Sequence, residues 1–219
     1  MRGVFVTGTD TEVGKSVVAA SICAALAARG ERVAAFKPVV TGLDEEPGEF
    51  GRDHELLAAA ANAGQLASDV TPHVFGPAVS PHLAAELAGV TIEPADLLAA
   101  ARAHEVVVCE GVGGLLVPIT PGYLVRDLAV DLALPVVIAS RPGLGTINHT
   151  LLTIESARAG GLTVAAVVMT PWPDDPTPMQ LSNRDTIALL GDVSVACLSH
   201  TTPDRLAEAG ASLPVEDWL

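Results

Sequence analysis

Gly3-Val4-Phe5-Val6-Thr7-Gly8-Thr9-Asp10-Thr11-Glu12-Val13-Gly14-Lys15-Ser16 is an apolar run, a Gly/Thr-rich turn and the opening of a small-residue helix. The helix is expected from about Ser16 to Arg29, with Gly30 as its C-terminal stop. A strand, a glycine loop and a helix opening on Gly-Lys-Ser form the context that a phosphate-binding loop requires. Successive backbone N–H groups and the positive helix end would cradle phosphates. Lys15 would reach the β/γ oxygens and the Ser16 hydroxyl would bind Mg²⁺. Five residues, not the usual four, separate Gly8 from Gly14, and the standard spacing falls on Thr9. A tight glycine turn with an incidental lysine is the plain alternative, and the triplet's place at a helix start argues against it.

Outward from this loop, short unbroken apolar runs recur: Arg32–Pro38, Glu105–Cys109, Pro135–Ala139, Thr163–Met169 and Val193–Leu198. Helical patterns lie between several of them, over Asp53–Ala63, near Pro81–Leu87 and over Pro94–Ala103. Val-rich runs of this length are strands buried on both faces, the mark of a parallel sheet. The expected fold is α/β and P-loop NTPase-like, a mostly parallel sheet with helices on both faces. Asp44–Glu49 and Pro171–Pro178 read as loops that divide no domains, so residues 1–219 are expected to form one domain.

The chain is 49% hydrophobic but only 3% aromatic, so Ala, Val and Leu must fill its interior. A net charge of −14 repels duplex nucleic acid and anionic membranes over most of the surface. A bound anion therefore needs a concentrated local positive site. No apolar run is long enough to span a bilayer, and the first residues pass into a strand without a leader pattern. Cys23, Cys109 and Cys197 are odd in number and set among apolar residues, which suits buried thiols. These features fit a soluble cytoplasmic protein.

Only two lysines occur, Lys15 and Lys37, against ten arginines. On a solvated surface either cation serves, so the retained lysines mark places where a compact ammonium matters. Lys37 ends the second expected strand, before Pro38 and the Thr41-Gly42 turn. Two cations at one sheet edge of an acidic protein imply an anion between them, and phosphoryl transfer runs on such charge neutralisation. Glu110 ends the Val106–Cys109 run ahead of Gly111, Gly113 and Gly114, where α/β sheets bind ligands, and is a candidate metal ligand. Asp53, at a helix start, reads first as a cap.

Taken together, GTDTEVGKS, FKPVVTG, SPHLAAE (Ser80–Glu86), CEGVGGLLVP and GLGTINHT (Gly143–Thr150) resemble the dethiobiotin synthetases. The likeness runs in family order over roughly residues 3 to 150. It implies an ATP-dependent ligase joining a 7,8-diaminononanoate and CO₂ into a cyclic urea, by way of a carbamate and a carbamic–phosphoric anhydride. It implies Mg²⁺ on Ser16, Asp53 and Glu110. It puts the nucleotide on Thr11, Glu12, Val13, Gly14, Lys15, Ser16 and Val17, with Gly111 and Gly113 beside it. Lys37 and Lys15 would act on the moving phosphoryl, and Thr11, Thr41 and Gly113 near the carbamate and diamine. The resemblance also implies a homodimer in which the turn carrying Leu144, Gly145 and Asn148 receives the substrate's carboxylate tail from the partner. His149 is read as structural. Ser16 stands for a commoner Thr and Thr41 for a commoner Ser, each keeping the hydroxyl. Val168–Trp172 lacks the Asn that often reads the adenine, which leaves the base preference open.

A partition or septum-positioning ATPase shares this kind of loop. Such proteins carry a second lysine five residues before the loop lysine, and that position here is Asp10. An amidating ligase of the cobyrinate type would need a further glutaminase domain.

Overall fold

The computed structural model describes residues 1–219. In chain order the elements are β1 (Arg2–Gly8), α1 (Lys15–Ala28), β2 (Val33–Phe36), β3 (Val39–Val40), α2 (Asp53–Ala60), α3 (Ala67–Val70) and β4 (His73–Val74). These are followed by α4 (Pro81–Ala88), α5 (Pro94–Arg102), β5 (Val106–Gly114), β6 (Pro118–Thr120), β7 (Tyr123–Leu124), α6 (Val125–Leu132) and β8 (Val136–Ser140). The last are α7 (Thr146–Ala159), β9 (Val164–Trp172), α8 (Pro178–Gly191), β10 (Val195–Ser199) and α9 (Leu206–Ala211), with short 3₁₀ turns at Pro203–Arg205 and Val215–Trp218.

Six strands form one sheet in the order β10-β9-β8-β1-β5-β2, every pair parallel. Because side chains alternate along a strand, each Val-rich run feeds two cores. Val4, Val6, Val106, Val108, Val137 and Val168 pack beneath α1, α2 and α9. Phe5, Val107, Cys109, Ile138, Val167 and Met169 pack on the other face, with residues of α4 to α8. The expected α/β fold with helices on both faces is the one observed. No helix is long and apolar enough to cross a membrane.

Two differences from the sequence reading have physical causes. β5 does not stop at Cys109 but runs on through Glu110 to Gly114, because Glu110 is still laddered against Val6 of β1. β9 likewise continues through Pro171 to Trp172. A proline lacks the N–H that the ladder uses and is tolerated at an irregularity, and β10 shifts register between Cys197 and Ser199 where it meets this stretch. Only the rest of Pro171–Pro178 is loop, ended by a Thr177–Gln180 capping box at α8.

The segment after residue 200 belongs to the core under the phosphate loop's helix. Leu206, Leu213, Val215 and Trp218 are buried in the cluster that holds α1. The two helices meet backbone to backbone: a Cβ on Gly210 would stand 2.1 Å from the Ser21 carbonyl oxygen. Glycine in a helix interior is ordinarily poorer than alanine by about 1 kcal/mol, and here the sign reverses. Gly210→Ala is expected to lower stability by about 1–3 kcal/mol, as overpacking does, read as a reduced denaturation midpoint at unchanged slope. A midpoint raised by the substitution would show that α9 does not seat on α1.

Candidate functional site

Sheet order decides which residues can meet. β5 lies between β1, which carries the phosphate loop, and β2, which carries Lys37. Ala35 of β2 is paired with Val108 of β5. Two residues further along, on the α1 side of the sheet, stand Lys37 and Glu110. The Lys37 Nζ donates to Glu110 Oε1 at 2.6 Å and also to Asp53 Oδ2. Ser16 Oγ, in the first turn of α1, donates to the same Glu110 Oε1 at 2.8 Å. Asp53 arrives on the first residue of α2, which packs beside α1.

Glu110 is completely buried and Lys37 nearly so, whereas the Asp53 side chain is 41% exposed. Burial alone would lower the Lys37 value, yet the carboxylates of Glu110 and Asp53 hold it above the ordinary lysine range. Burial pushes Glu110 up against the opposing pull of Lys37. For Asp53 the lysine overcomes the effect of burial and its value falls. Lys15 is lowered to about 8, by burial first and by the Lys37 charge as well, against the pull of Glu110. Its Nζ donates to the Asp10 carbonyl at 2.8 Å, folded back across its own loop.

The loop reaches α1 through two residues of positive φ, Glu12 at 57° and Gly14 at 87°. A side chain on Gly14 would also strike Thr170 at the end of β9, 2.6 Å from the Cβ position. Arg141, just past β8, donates to the Glu12 carbonyl at 2.9 Å and braces the strained residue from outside.

Loop, helix start and the Lys37 cluster line one cleft of about 420 Å³. Against it stand three comparisons. A family model described as an AAA domain matches residues 2–200. An ATP-dependent dethiobiotin synthetase BioD of Anaeromyxobacter dehalogenans (strain 2CP-1) is 42% identical over 203 residues, covering 87% of this chain and 90% of that one. The namesake from Bacillus subtilis (strain 168) is 35% identical, covering 89% of this chain and 85% of its own. The chain belongs to the dethiobiotin synthetase family. Among solved structures it resembles a ParA family ATPase from Chlorobium tepidum with a TM-score of 0.55 at 10% identity, covering 96% of this chain and 90% of that one. That likeness is one of fold alone.

Of the residues that dethiobiotin synthetase resemblance implies, the cleft gathers Thr11, Glu12, Gly14, Lys15, Ser16, Val17, Lys37, Thr41, Asp53, Glu110 and Gly113. Val13 is buried beneath the loop, its Cγ2 2.7 Å from where a Gly8 Cβ would stand. Gly111 points the other way, and a Cβ there would meet Val125 at 2.8 Å and Phe5 at 3.2 Å. Its lack of a side chain is set by the opposite core. Leu144, Gly145 and Asn148 stand apart from this cleft, at the exposed N-terminal end of α7. Beside the phosphate loop a second cleft, of about 490 Å³, runs from Gly8–Thr11 to Leu116, His149 and Leu152.

Some contributors carry no sequence signal of their own. Glu49, Phe50 and Gly51 wall the cleft opposite the loop. Arg52 straps the turn after Thr41, donating to the carbonyls of Gly42 at 3.0 Å and Leu43 at 2.8 Å. Arg141 reaches the loop only because β8 neighbours β1. An arginine directly before Asp53 was the one available hint.

The lowered Lys15 value gives a signed prediction. Below pH 8 the free protein already carries the ammonium, whereas above it Lys15 is largely neutral and must take up a proton to meet a phosphate. Calorimetry of ADP binding in buffers of different ionisation enthalpy should report uptake of about half a proton at pH 8, diminishing at lower pH. An absence of uptake between pH 7 and 9 would show that the Lys15 proton is not coupled to phosphate binding in this range.

Proposed function

We propose that this chain is an ATP-dependent dethiobiotin synthetase whose chemistry is carried by the cleft between the phosphate loop and Lys37. One observation carries the reading: a lysine and two carboxylates from β2, α2 and β5 converge on the Ser16 hydroxyl at the mouth of a phosphate-binding loop. Residues 1–219 act in this reading as one ligase domain. The substrates are a diamino acid of the 7,8-diaminononanoate type, CO₂ and ATP.

The donor set suits Mg²⁺. Ser16, Asp53 and Glu110 offer hard oxygens, and Glu110 Oε2 is buried without a hydrogen-bond partner. No cluster of three or more His, Cys, Asp or Glu residues competes for a metal. A hydroxyl and two carboxylates leave positions for phosphate oxygens and water, which is how Mg²⁺ is ordinarily held on nucleotides. When bound, the ion would neutralise charge on the β- and γ-phosphates.

The chain's own groups then position and neutralise. Backbone N–H groups of the loop and the start of α1 hold the phosphates. Lys15 leaves the Asp10 carbonyl for phosphate oxygens. Thr11 and Thr41 orient the carbamate that one amine forms with CO₂. A carbamate oxygen attacks the γ-phosphorus as the bond to ADP breaks, giving a carbamic–phosphoric anhydride. Lys37 stabilises the charge on the phosphoryl in flight. The second amine then attacks the carbamoyl carbon, phosphate leaves, and the urea ring closes. An amine attacking an activated anhydride needs little acid–base help, so His149 has no assigned step.

The second cleft supports a homodimer. Leu144 is 92% exposed, and Leu116 and Leu152 are exposed beside the cleft. An apolar surface of this kind suits burial against another copy, and the N–H groups at Gly145–Asn148 of that copy would receive the substrate carboxylate. The acidic surface suits a cytoplasmic enzyme that binds neither nucleic acid nor membrane.

Purified protein should release phosphate from ATP only when both diamine and bicarbonate are present, with a cyclic urea formed stoichiometrically. Equal release without either co-substrate would sink the ligase reading. Lys37→Arg should lower kcat by about a hundredfold or more, the scale of losing one transition-state donor, with ADP affinity nearly unchanged. An unaltered kcat would take Lys37 out of the reaction.

A further inference from the structure

We propose that Lys37 is the resident cation of the metal site, and that a divalent ion and the Lys37 ammonium hold the Asp53–Glu110 pair by turns. This rests on the proposed reading of Ser16, Asp53 and Glu110 as the metal's ligands. Arrival of the ion thereby frees Lys37 for the phosphoryl group.

Glu110 is wholly buried on β5, between β1 and the edge strand β2. A carboxylate so placed needs a cation or donors at every stage. Ser16 and Lys37 supply them, both on Oε1. The other nearby cation acts on Glu110 only through space, because the Lys15 Nζ donates to the Asp10 carbonyl. Lys37 also bonds Asp53, so its Nζ bridges the two carboxylates. An ion drawing on Glu110 Oε1 and Asp53 Oδ2 would contend with the Nζ for both, whereas the unpartnered Glu110 Oε2 offers it one oxygen that the lysine does not use.

Charge counting reinforces the exclusion. One ammonium against two carboxylates leaves one negative charge, which draws a divalent ion in. The ion alone leaves none. Before a phosphate is bound, ion and ammonium together would leave an excess positive charge around the buried Glu110, at separations where Coulomb repulsion is strong. The ammonium on its four-carbon stem is the mobile partner, and the loop's phosphate cradle opens into the same cleft. Lys37 is thus held away from the γ-phosphate until a metal is in place, and Glu110 is never left uncompensated.

Because the chain has two lysines, ¹⁵Nζ-labelled lysine gives two side-chain signals, distinguished through Lys37→Met. ADP in excess EDTA should leave the Lys37 signal in place, and adding Mg²⁺ should shift it in step with ion binding. In parallel, Mn²⁺ binding without nucleotide, followed by electron paramagnetic resonance, should tighten roughly tenfold or more in Lys37→Met. Removing an occupant that fills the site most of the time has that effect. Asp53→Asn should weaken Mn²⁺ binding to the ADP complex. If Asp53→Asn weakens the ion while Mg²⁺ leaves the Lys37 signal unmoved, ion and lysine coexist. The exclusion is then overturned and the ligand assignment stands. If Asp53→Asn leaves ion binding unchanged, the ligand assignment fails and the exclusion with it. The signal shift is read on the wild-type fold, so poor folding of a variant does not rescue the proposal.

Discussion

A carboxylate with no exposed surface sits on β5 between β1 and β2, and the arrangement around it follows from the need to compensate its charge. Burying an ion such as Glu110 costs several kcal/mol even after relaxation. Relief must come from groups that the fold brings to one spot. Lys37 can do this only from the strand next to β5, and the strand order supplies that neighbour. Ser16 can do it only if α1 begins directly above β5, which the loop from β1 ensures. The topology that makes an anion cradle therefore also makes a place where a buried acid is tolerable.

The same constraint shapes the loop. To deliver Ser16 to Glu110, the chain passes through left-handed conformations at Glu12 and Gly14. Only the second is a glycine. Glu12 adopts a conformation costing of order 1 kcal/mol for a residue with a side chain, and the Arg141 bonds to its carbonyl offset part of that. Thr170, from the far side of β8, closes on Gly14 so tightly that no side chain fits. Residues from β9 and from the end of β8 thus cooperate in holding a loop that β1 carries.

The sheet was legible in the sequence because its strands are buried on both faces and their Val-rich runs interrupt everything else. The loop was legible because Gly-Lys-Ser at a helix start has few other uses. Glu110 and Lys37 could be placed at the sheet edge singly. Their pairing could not, since it depends on β5 entering between β1 and β2 after some seventy intervening residues. α7 and α8 left little trace because Asp, Arg, Asn and Thr are mixed into their exposed turns, and α6, although amphipathic, spans only eight residues. The C-terminal segment was opaque for another reason. Leu206, Leu213, Val215 and Trp218 lie on the short α9 and the turns after it without a sustained period, and only their burial against α1 reveals a common face.

The contrast between the two kinds of cation also acquires a structural basis. Several arginines work as fixed forks on backbone oxygen: Arg52 on Gly42 and Leu43, Arg141 on Glu12, Arg158 on Gly191 and Asp192. Each ties a loop to a neighbouring element, a task for which a planar, permanently charged group is suited. The lysines are held differently. Lys15 rests on a loop carbonyl and Lys37 between two acids, each by a single ammonium at the end of a flexible stem. A fork placed at Lys37 would engage both carboxylates at once and stay. An ammonium can trade one set of oxygens for another, which is what the proposed passage of Lys37 from carboxylates to phosphates requires of its cation.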